Sequence, residues 1–242
     1  MQGNKENCTT IVVLILGKKL MKKDIVFKYR TPLSFIYRVL KRNSYKLGRG
    51  NSLKLGGIFV DHTKIDIKGV GNVIVFDSDG LSKLSRCKIL IWGNNNKVHI
   101  GNDVRLYHCI FHIEDDNNLI DIGEHSTVAG KTEFAAIEGT EIKIGKDCMF
   151  SSNITFRTGD SHGIVDALTG ERCNPSKSIY IGDHVWCGNS VIVLKGTNIS
   201  NDSVIATGSV VCGISSESNS IIGGNPAKVI KSGISWKRER AI

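Results

Sequence analysis

Apolar residues recur along this chain with a period that neither a helix nor a simple strand produces. From Ile181 onward every sixth residue is apolar: Ile181, Cys187, Val193, Ile199, Ile205 and Val211. The residue four further on is small or β-branched each time, from Val185 and Val191 through Thr197, Ser203 and Ser209 to Ser215. A helix would repeat about every 3.6 residues and a half-buried strand every second one. A longer rhythm lies upstream. Ile-Gly recurs at residues 100, 122, 144 and 181, and each pair closes a β-like triplet such as Val98-His99-Ile100.

A period of six predicts a solenoid of short strands and tight turns. Three hexapeptides close one triangular coil, and stacked coils pair their strands in parallel about 4.8 Å apart. The apolar residue of each hexapeptide points into the prism, and the small residue sits near a corner. The first two Ile-Gly intervals, of 22 residues, are then one coil plus a small excursion. The third, of 37, is one coil plus a loop inserted over residues 158–178. One coil cannot bury its own core, so several must stack, here from about Leu53 to Gly224. The expected fold is all-β, a parallel β-helix over 51–233. Residues 1–50 form a basic N-terminal segment and 234–242 a basic C-terminal tail. Within the first segment, Ser34 to Lys46 reads as a basic helix, with Pro32 at its start and Phe35, Ile36, Val39 and Leu40 on one side.

Composition agrees with one domain plus an appendage: 242 residues, 40% apolar and 23% charged, with aromatics at only 7%. Charge is uneven. The net +9 resolves into +10 over residues 1–50 and −1 over the rest. That basic head predicts a solvated face, contact with an anionic membrane surface, or contact with a polyanionic acceptor. No recognised motif points to nucleic acid. Seven scattered cysteines without a Cys-x-x-Cys pair argue against a disulfide scaffold or a structural zinc site. They point to a reducing, cytoplasmic setting. The run Ile11 to Leu16 is too short to span a bilayer, and Lys18 and Lys19 follow it where a signal peptide would show a cleavage site.

Hexapeptide repeats of this kind resemble the left-handed parallel β-helix, and the left-handed sense is part of that resemblance. Residues 180–231 resemble the carboxy-terminal half of hexapeptide-repeat acyltransferases. The residues concerned are Ile-Gly-Asp-His-Val-Trp at 181–186, Leu-Lys-Gly at 194–196, Ala-Thr-Gly-Ser-Val-Val at 206–211 and Gly-Asn-Pro-Ala-Lys-Val-Ile-Lys at 224–231. The inserted loop, Arg157-Thr158-Gly159-Asp160-Ser161-His162, is similar to the catalytic-histidine loop of bacterial surface-polysaccharide O-acetyltransferases. Within that group the resemblance is to capsular sialic acid O-acetyltransferases.

The resemblance implies an acetyl-coenzyme A cosubstrate, a sugar or polysaccharide acceptor, no metal, and active sites between the chains of a homotrimer. It implies His162 as the general base and Trp186 as the residue meeting the acetyl group or pantetheine arm. Asn189, Thr207, Lys228 and Lys231 would bind the cofactor, the two lysines through its phosphates. Where relatives carry Thr-Lys after Gly-Ser-Val-Val, this chain has Cys212-Gly213, so one lysine contact is lost or replaced. The chemistry is self-consistent. An imidazole of ordinary pKa, about 6.5, can take a hydroxyl proton at neutral pH. General-base catalysis of that kind is worth about 10²–10⁴-fold.

Other readings compete. His125 and His184 both stand two residues past an Ile-Gly glycine, as Asp147 does, and read as corner residues. His99 points outward from a strand, His62 lies in an ordinary early coil, and His108 and His112 flank a short β-like run, facing solvent or an interface. The same fold could serve a small acceptor such as an antibiotic, a simple sugar or serine. A β-helical zinc carbonic anhydrase would need three histidines, and His108 and His112 lack a third. The role of Asp160 stays open, and Cys187 reads as a core thiol.

Overall fold

The computed structural model describes residues 30–77 and 80–240. The chain winds as a parallel β-solenoid of eight coils with three flat faces. Face 1 holds eight strands, from Ser44–Lys46 to Val210–Val211, and face 2 holds seven, from Ser52–Lys54 to Asn198–Ile199. Face 3 holds nine, from Phe59–Asp61 to Ser220–Gly224, closed by the antiparallel strand Ala227–Ser232. Each coil visits faces 1, 2 and 3 in turn.

The hexapeptide pattern accounts for the interior. Ile181, Cys187, Val193, Ile199, Ile205 and Val211 fall on faces 2, 3, 1, 2, 3 and 1, and none exposes more than 4% of its surface. Face 1 of coils 4 to 6 stacks Phe111, Phe134 and Phe156, with centroids 5.1 and 5.0 Å apart. Burying each ring is worth about 1.5–3 kcal/mol. The Ile-Gly pairs form one ladder on face 2, Ile100, Ile122, Ile144 and Ile181 pairing in register. Their glycines are dictated by close stacking: a Cβ on Gly123 would come within 2.6 Å of the Gly145 carbonyl carbon. Two residues on, at the edge between faces 2 and 3, Asp103, His125, Asp147, His184 and Asp202 all take φ between 51° and 61°. Short polar side chains tolerate that left-handed turn. His125 and His184 are thus corner residues, as their register predicts.

Two boundaries shift from expectation. The helix is Arg30–Leu40, not Ser34–Lys46. Asn43 stops it: its Nδ2 donates to the Arg38 and Val60 carbonyls and its Oδ1 accepts from the Thr63 N–H. Ser44–Lys46 then pairs with Lys64–Asp66, so the solenoid begins inside the segment assigned to 1–50. The buried side of the helix also differs. Leu33 and Ser34 are buried, and Tyr37 packs edge-on against Phe59 at 5.5 Å. Phe35, Val39 and Leu40 are exposed. The run Ile11 to Leu16 lies outside the described residues. Among the described residues no helix is long and apolar enough to cross a membrane.

The tail is extended rather than helical. It lies along the edge between faces 2 and 3, crossing several coils. Ile234 bonds Asn219, the Trp236 indole N–H donates to the His184 carbonyl at 2.8 Å, and the Arg238 guanidinium grips Asp147 and Thr127.

Candidate active site

The inserted loop leaves face 1 after Ile154–Arg157 and returns at Ile179–Ile181 on face 2. It therefore projects from the edge between those faces, in coil 6. Its base is tied to the solenoid. Thr158 is fully buried, accepting from the Ile137 N–H and, at 2.6 Å, from the Thr140 hydroxyl. Arg157 donates to the Gly159 carbonyl and the Ser161 hydroxyl. Further out, an ion pair joins Arg172 to Glu138 at 2.7 Å, and a bridge pairs Val165 with Arg172.

His162 is exposed on this loop, and its imidazole makes no hydrogen bond among the described residues. Its backbone is fixed, the carbonyl accepting from Asn174 Nδ2 at 2.9 Å. Asn174 is buried and also donates to Asp160 Oδ2 at 2.8 Å. The Lys195 ammonium meets the same carboxylate oxygen at 2.5 Å and the Asn174 carbonyl at 3.1 Å. Lys195, and after it Asn174, hold the Asp160 carboxyl below its ordinary range. Asp160 is an anchor and does not pair with the His162 ring. A cleft of about 570 Å³ opens beside this cluster, between Ile164, Cys173 and Pro175 of the loop and Gly196 and Cys212 of the next coils.

The remaining predicted residues stand elsewhere. Trp186 is on face 3, pointing outward and 40% exposed. In a triangular prism face 3 lies opposite the edge that carries the loop, so one chain does not bring His162 and Trp186 together. Asn189 and Thr207 share the edge between faces 3 and 1 in successive coils, the Gly208 N–H donating to the Asn189 carbonyl. Lys228 pairs with Gly223 near the same edge, whereas Lys231 pairs with Ile221 toward the far side of the face. Ser151, Gly188, Ala206 and Gly223 stack in register between Trp186 and this edge, through bonds such as Ala206 N–H to the Ile222 carbonyl. The row is built of small side chains and ends beside the Ile230 side chain, which lies within 2.5 Å of where a Cβ on Gly223 would stand.

Cys173 and Cys212, which border the cleft, are exposed, whereas Cys148 and Cys187 are buried in the solenoid. Burial pushes Cys148 up to about 12 and raises Cys187 further still. Thiolates, not thiols, are nucleophiles, so neither cysteine is suited to carry an acyl group. His108 stacks on Tyr107 at 4.4 Å while His112 lies on face 1 against Trp92. No group of three His, Cys, Asp or Glu side chains that could hold a metal ion occurs among the described residues.

A polysialic acid O-acetyltransferase of Neisseria meningitidis is 32% identical over 192 residues, which are 71% of this chain and 88% of that protein. This chain belongs to the hexapeptide-repeat acyltransferase family. It is therefore an acyltransferase. A polysialic acid O-acetyltransferase of Escherichia coli O1:K1 / APEC is also 32% identical, over 117 residues, 48% of this chain and 38% of the relative's length. Among solved structures, a polysialic acid O-acetyltransferase superposes with a TM-score of 0.74 at 27% identity, over 82% of this chain and 92% of that one. No family model matches the chain.

Five residues of this acyltransferase have positions that sequence reasoning missed. Lys195 stood inside the Leu-Lys-Gly motif without a role, and Asn174 and Glu138 carried no signal. Trp236 and Arg238 lay in a tail read only as basic. Trp236 stacks on His184 at 4.0 Å and approaches Trp186 at 6.1 Å, so the tail borders Trp186 from the edge between faces 2 and 3.

Proposed function

We propose that this acyltransferase moves an acetyl group from acetyl-coenzyme A to a hydroxyl of a sialic acid polymer or a related surface polysaccharide. The supporting observation is the similarity to a polysialic acid O-acetyltransferase across 88% of that protein's length. His162 takes the hydroxyl proton. The oxygen attacks the thioester carbonyl, the carbon–sulfur bond breaks, and coenzyme A leaves as a thiol once the imidazolium returns the proton. The transfer is direct and needs no covalent acyl-enzyme.

The pantetheine arm passes beside Trp186 along the row of small residues Ser151, Gly188 and Ala206, with Asn189 and Thr207 at the neighbouring edge and Lys228 and Lys231 for the phosphates. Lysine answers phosphate as a point charge and needs no rigid fork. Because His162 and Trp186 lie on opposite sides of one chain, the site is shared between neighbours in a homotrimer. The basic N-terminal segment suits a polyanionic acceptor.

The test is thiol release from acetyl-coenzyme A with oligosialic acid or a matched neutral oligosaccharide. His162→Ala lowers oligosialic-dependent release about 10²–10⁴-fold. Trimers reassembled from a mixture of His162→Ala and Trp186→Ala chains recover turnover that neither variant has alone. Full turnover by His162→Ala would discard the base, and release with the neutral glycan alone would discard the sialic acid acceptor.

A further inference from the structure

We infer that Lys195 is a positioning residue for the catalytic loop, holding His162 in place from the coil below. The inference rests on His162 being the general base. Lys195 sits on a short turn of coil 7. There the Gly196 N–H donates to the Ser178 carbonyl and the Thr197 hydroxyl donates to the Leu194 carbonyl at 2.7 Å. That turn is one step of the strict hexapeptide repeat, with Val193 and Thr197 fully buried on either side. It is thus a stiff platform under a loop whose residues 160–173 are all exposed.

From this platform the ammonium makes both of its bonds to the loop, to Asp160 Oδ2 and to the Asn174 carbonyl. Asn174 completes the connection by donating to Asp160 and to the His162 carbonyl. The path from Lys195 to the backbone of His162 therefore runs through a single side chain. The lysine itself is only 21% exposed, so its stem is packed and its head is not a free surface charge.

Two loop segments, 160–162 and 174, have no periodic constraint between them. Lys195 is the contact that ties both to the solenoid. Without it the loop keeps Arg157, which bonds the Ser161 hydroxyl, and Arg172, which bonds Asn174 and Glu138, but loses the tie from coil 7 to the Asp160 carboxylate. A misplacement of about 1 Å at a reacting group costs on the order of 10²-fold in rate. The charge on Asp160 persists through neutral and mildly acidic pH, because its carboxyl is held low. The clamp is lost only as pH falls through that lowered value.

The experiment compares Lys195→Met, Lys195→Arg, Asp160→Asn and His162→Ala in the full chain. Readouts are thiol release, amide hydrogen exchange of residues 160–176, and the thermal midpoint. Lys195→Met is expected to lower kcat about 10–100-fold with KM for acetyl-coenzyme A unchanged, to speed exchange in the loop, and to leave the midpoint in place. Lys195→Arg restores most of the kcat. Should Lys195→Met fail to fold, Asp160→Asn removes the ion pair at constant shape and must show the same pattern. Wild-type kcat and loop protection in Lys195→Met, with His162→Ala inactive, overturns the clamp and leaves the base standing. An active His162→Ala overturns the base, and with it the positioning role, whatever the exchange shows.

Discussion

The edge between faces 1 and 2 is built in two ways within one molecule. In coils 1 to 4 it is a closed polar ladder. Asn72 donates to Asn51, Asn96 to Asn72 and Asn118 to Asn96, at 2.9 to 3.1 Å, and the Thr140 N–H donates to Asn118 Oδ1. Each amide oxygen in the middle also takes the backbone N–H of the next asparagine. In coil 6 the same edge opens into the His162 loop. The two constructions meet at Thr140, whose hydroxyl bonds Thr158, the first residue of the loop. A corner satisfied within the solenoid needs nothing outside it. A corner opened by insertion must be held by ion pairs and a lysine from a neighbouring coil, and it leaves the His162 ring exposed.

Breaking the ladder should cost stability and spare the loop. Asn96→Ala strands the buried backbone N–H of Asn118, takes one acceptor from the Asn118 amide and removes one of the two donors to the Asn72 oxygen. It should destabilise the fold by about 1–3 kcal/mol, read as a lower denaturant midpoint. Loop exchange should stay unchanged in conditions where the variant is folded. Equal loss of loop protection would mean the two constructions are one. The complementary change is Glu138→Ala, which frees Arg172 and the Ser176 N–H. Limited proteolysis of residues 160–176 should quicken several-fold with the denaturant midpoint unmoved, because exposed ion pairs contribute little.

The smallest effect concerns the polar stack on face 2 upstream. His99 lies between Asp121 at 2.8 Å and Asp77 at 3.1 Å. Burial alone would lower its imidazole pKa, but the bonds to Asp121 and then Asp77 outweigh it and leave the value raised. A raised histidine pKa stabilises the fold fully below about 6.5 and loses that contribution as pH rises through the folded value. The gap between wild type and His99→Gln should be below about 1 kcal/mol at pH 6 and close by pH 8.5. A gap that widens with pH would contradict the assigned bonds.

What could be read in advance follows the same division. The downstream coils were legible because the hexapeptide repeat has no slack: Ile192 pairs with Val210 eighteen residues on. Upstream, Lys64 pairs with Lys88 and Lys88 with Ile110, so the coil length changes, at the edge between faces 2 and 3, and blurs the period. The recurrent asparagines just before each face 2 strand were a usable signal that the apolar pattern hid. The helix was misplaced because its amphipathic pattern cannot say which apolar residues face the end of a solenoid. For the site, the interruption of the repeat drew attention to the loop, and the resemblance of residues 157–162 to a family loop pointed to His162. Lys195, Asp160 and Asn174 were beyond reach, since contacts 35 and 14 residues apart carry no period.

Solenoids gain stability between adjacent coils and usually fray from an end, one rung at a time. The tail departs from that rule. Arg238 bonds Asp147 and Thr127, 91 and 111 residues away in sequence, while Ile234 stays fastened to Asn219. Contacts at such separation join rungs that share no strand pairing. The tail therefore straps together the coils from Thr127 to Asn219, among them the one that carries the loop, and favours their opening as one cooperative unit. Partial unwinding that would expose the site while leaving the rest folded is suppressed, so the site is lost only in a concerted step.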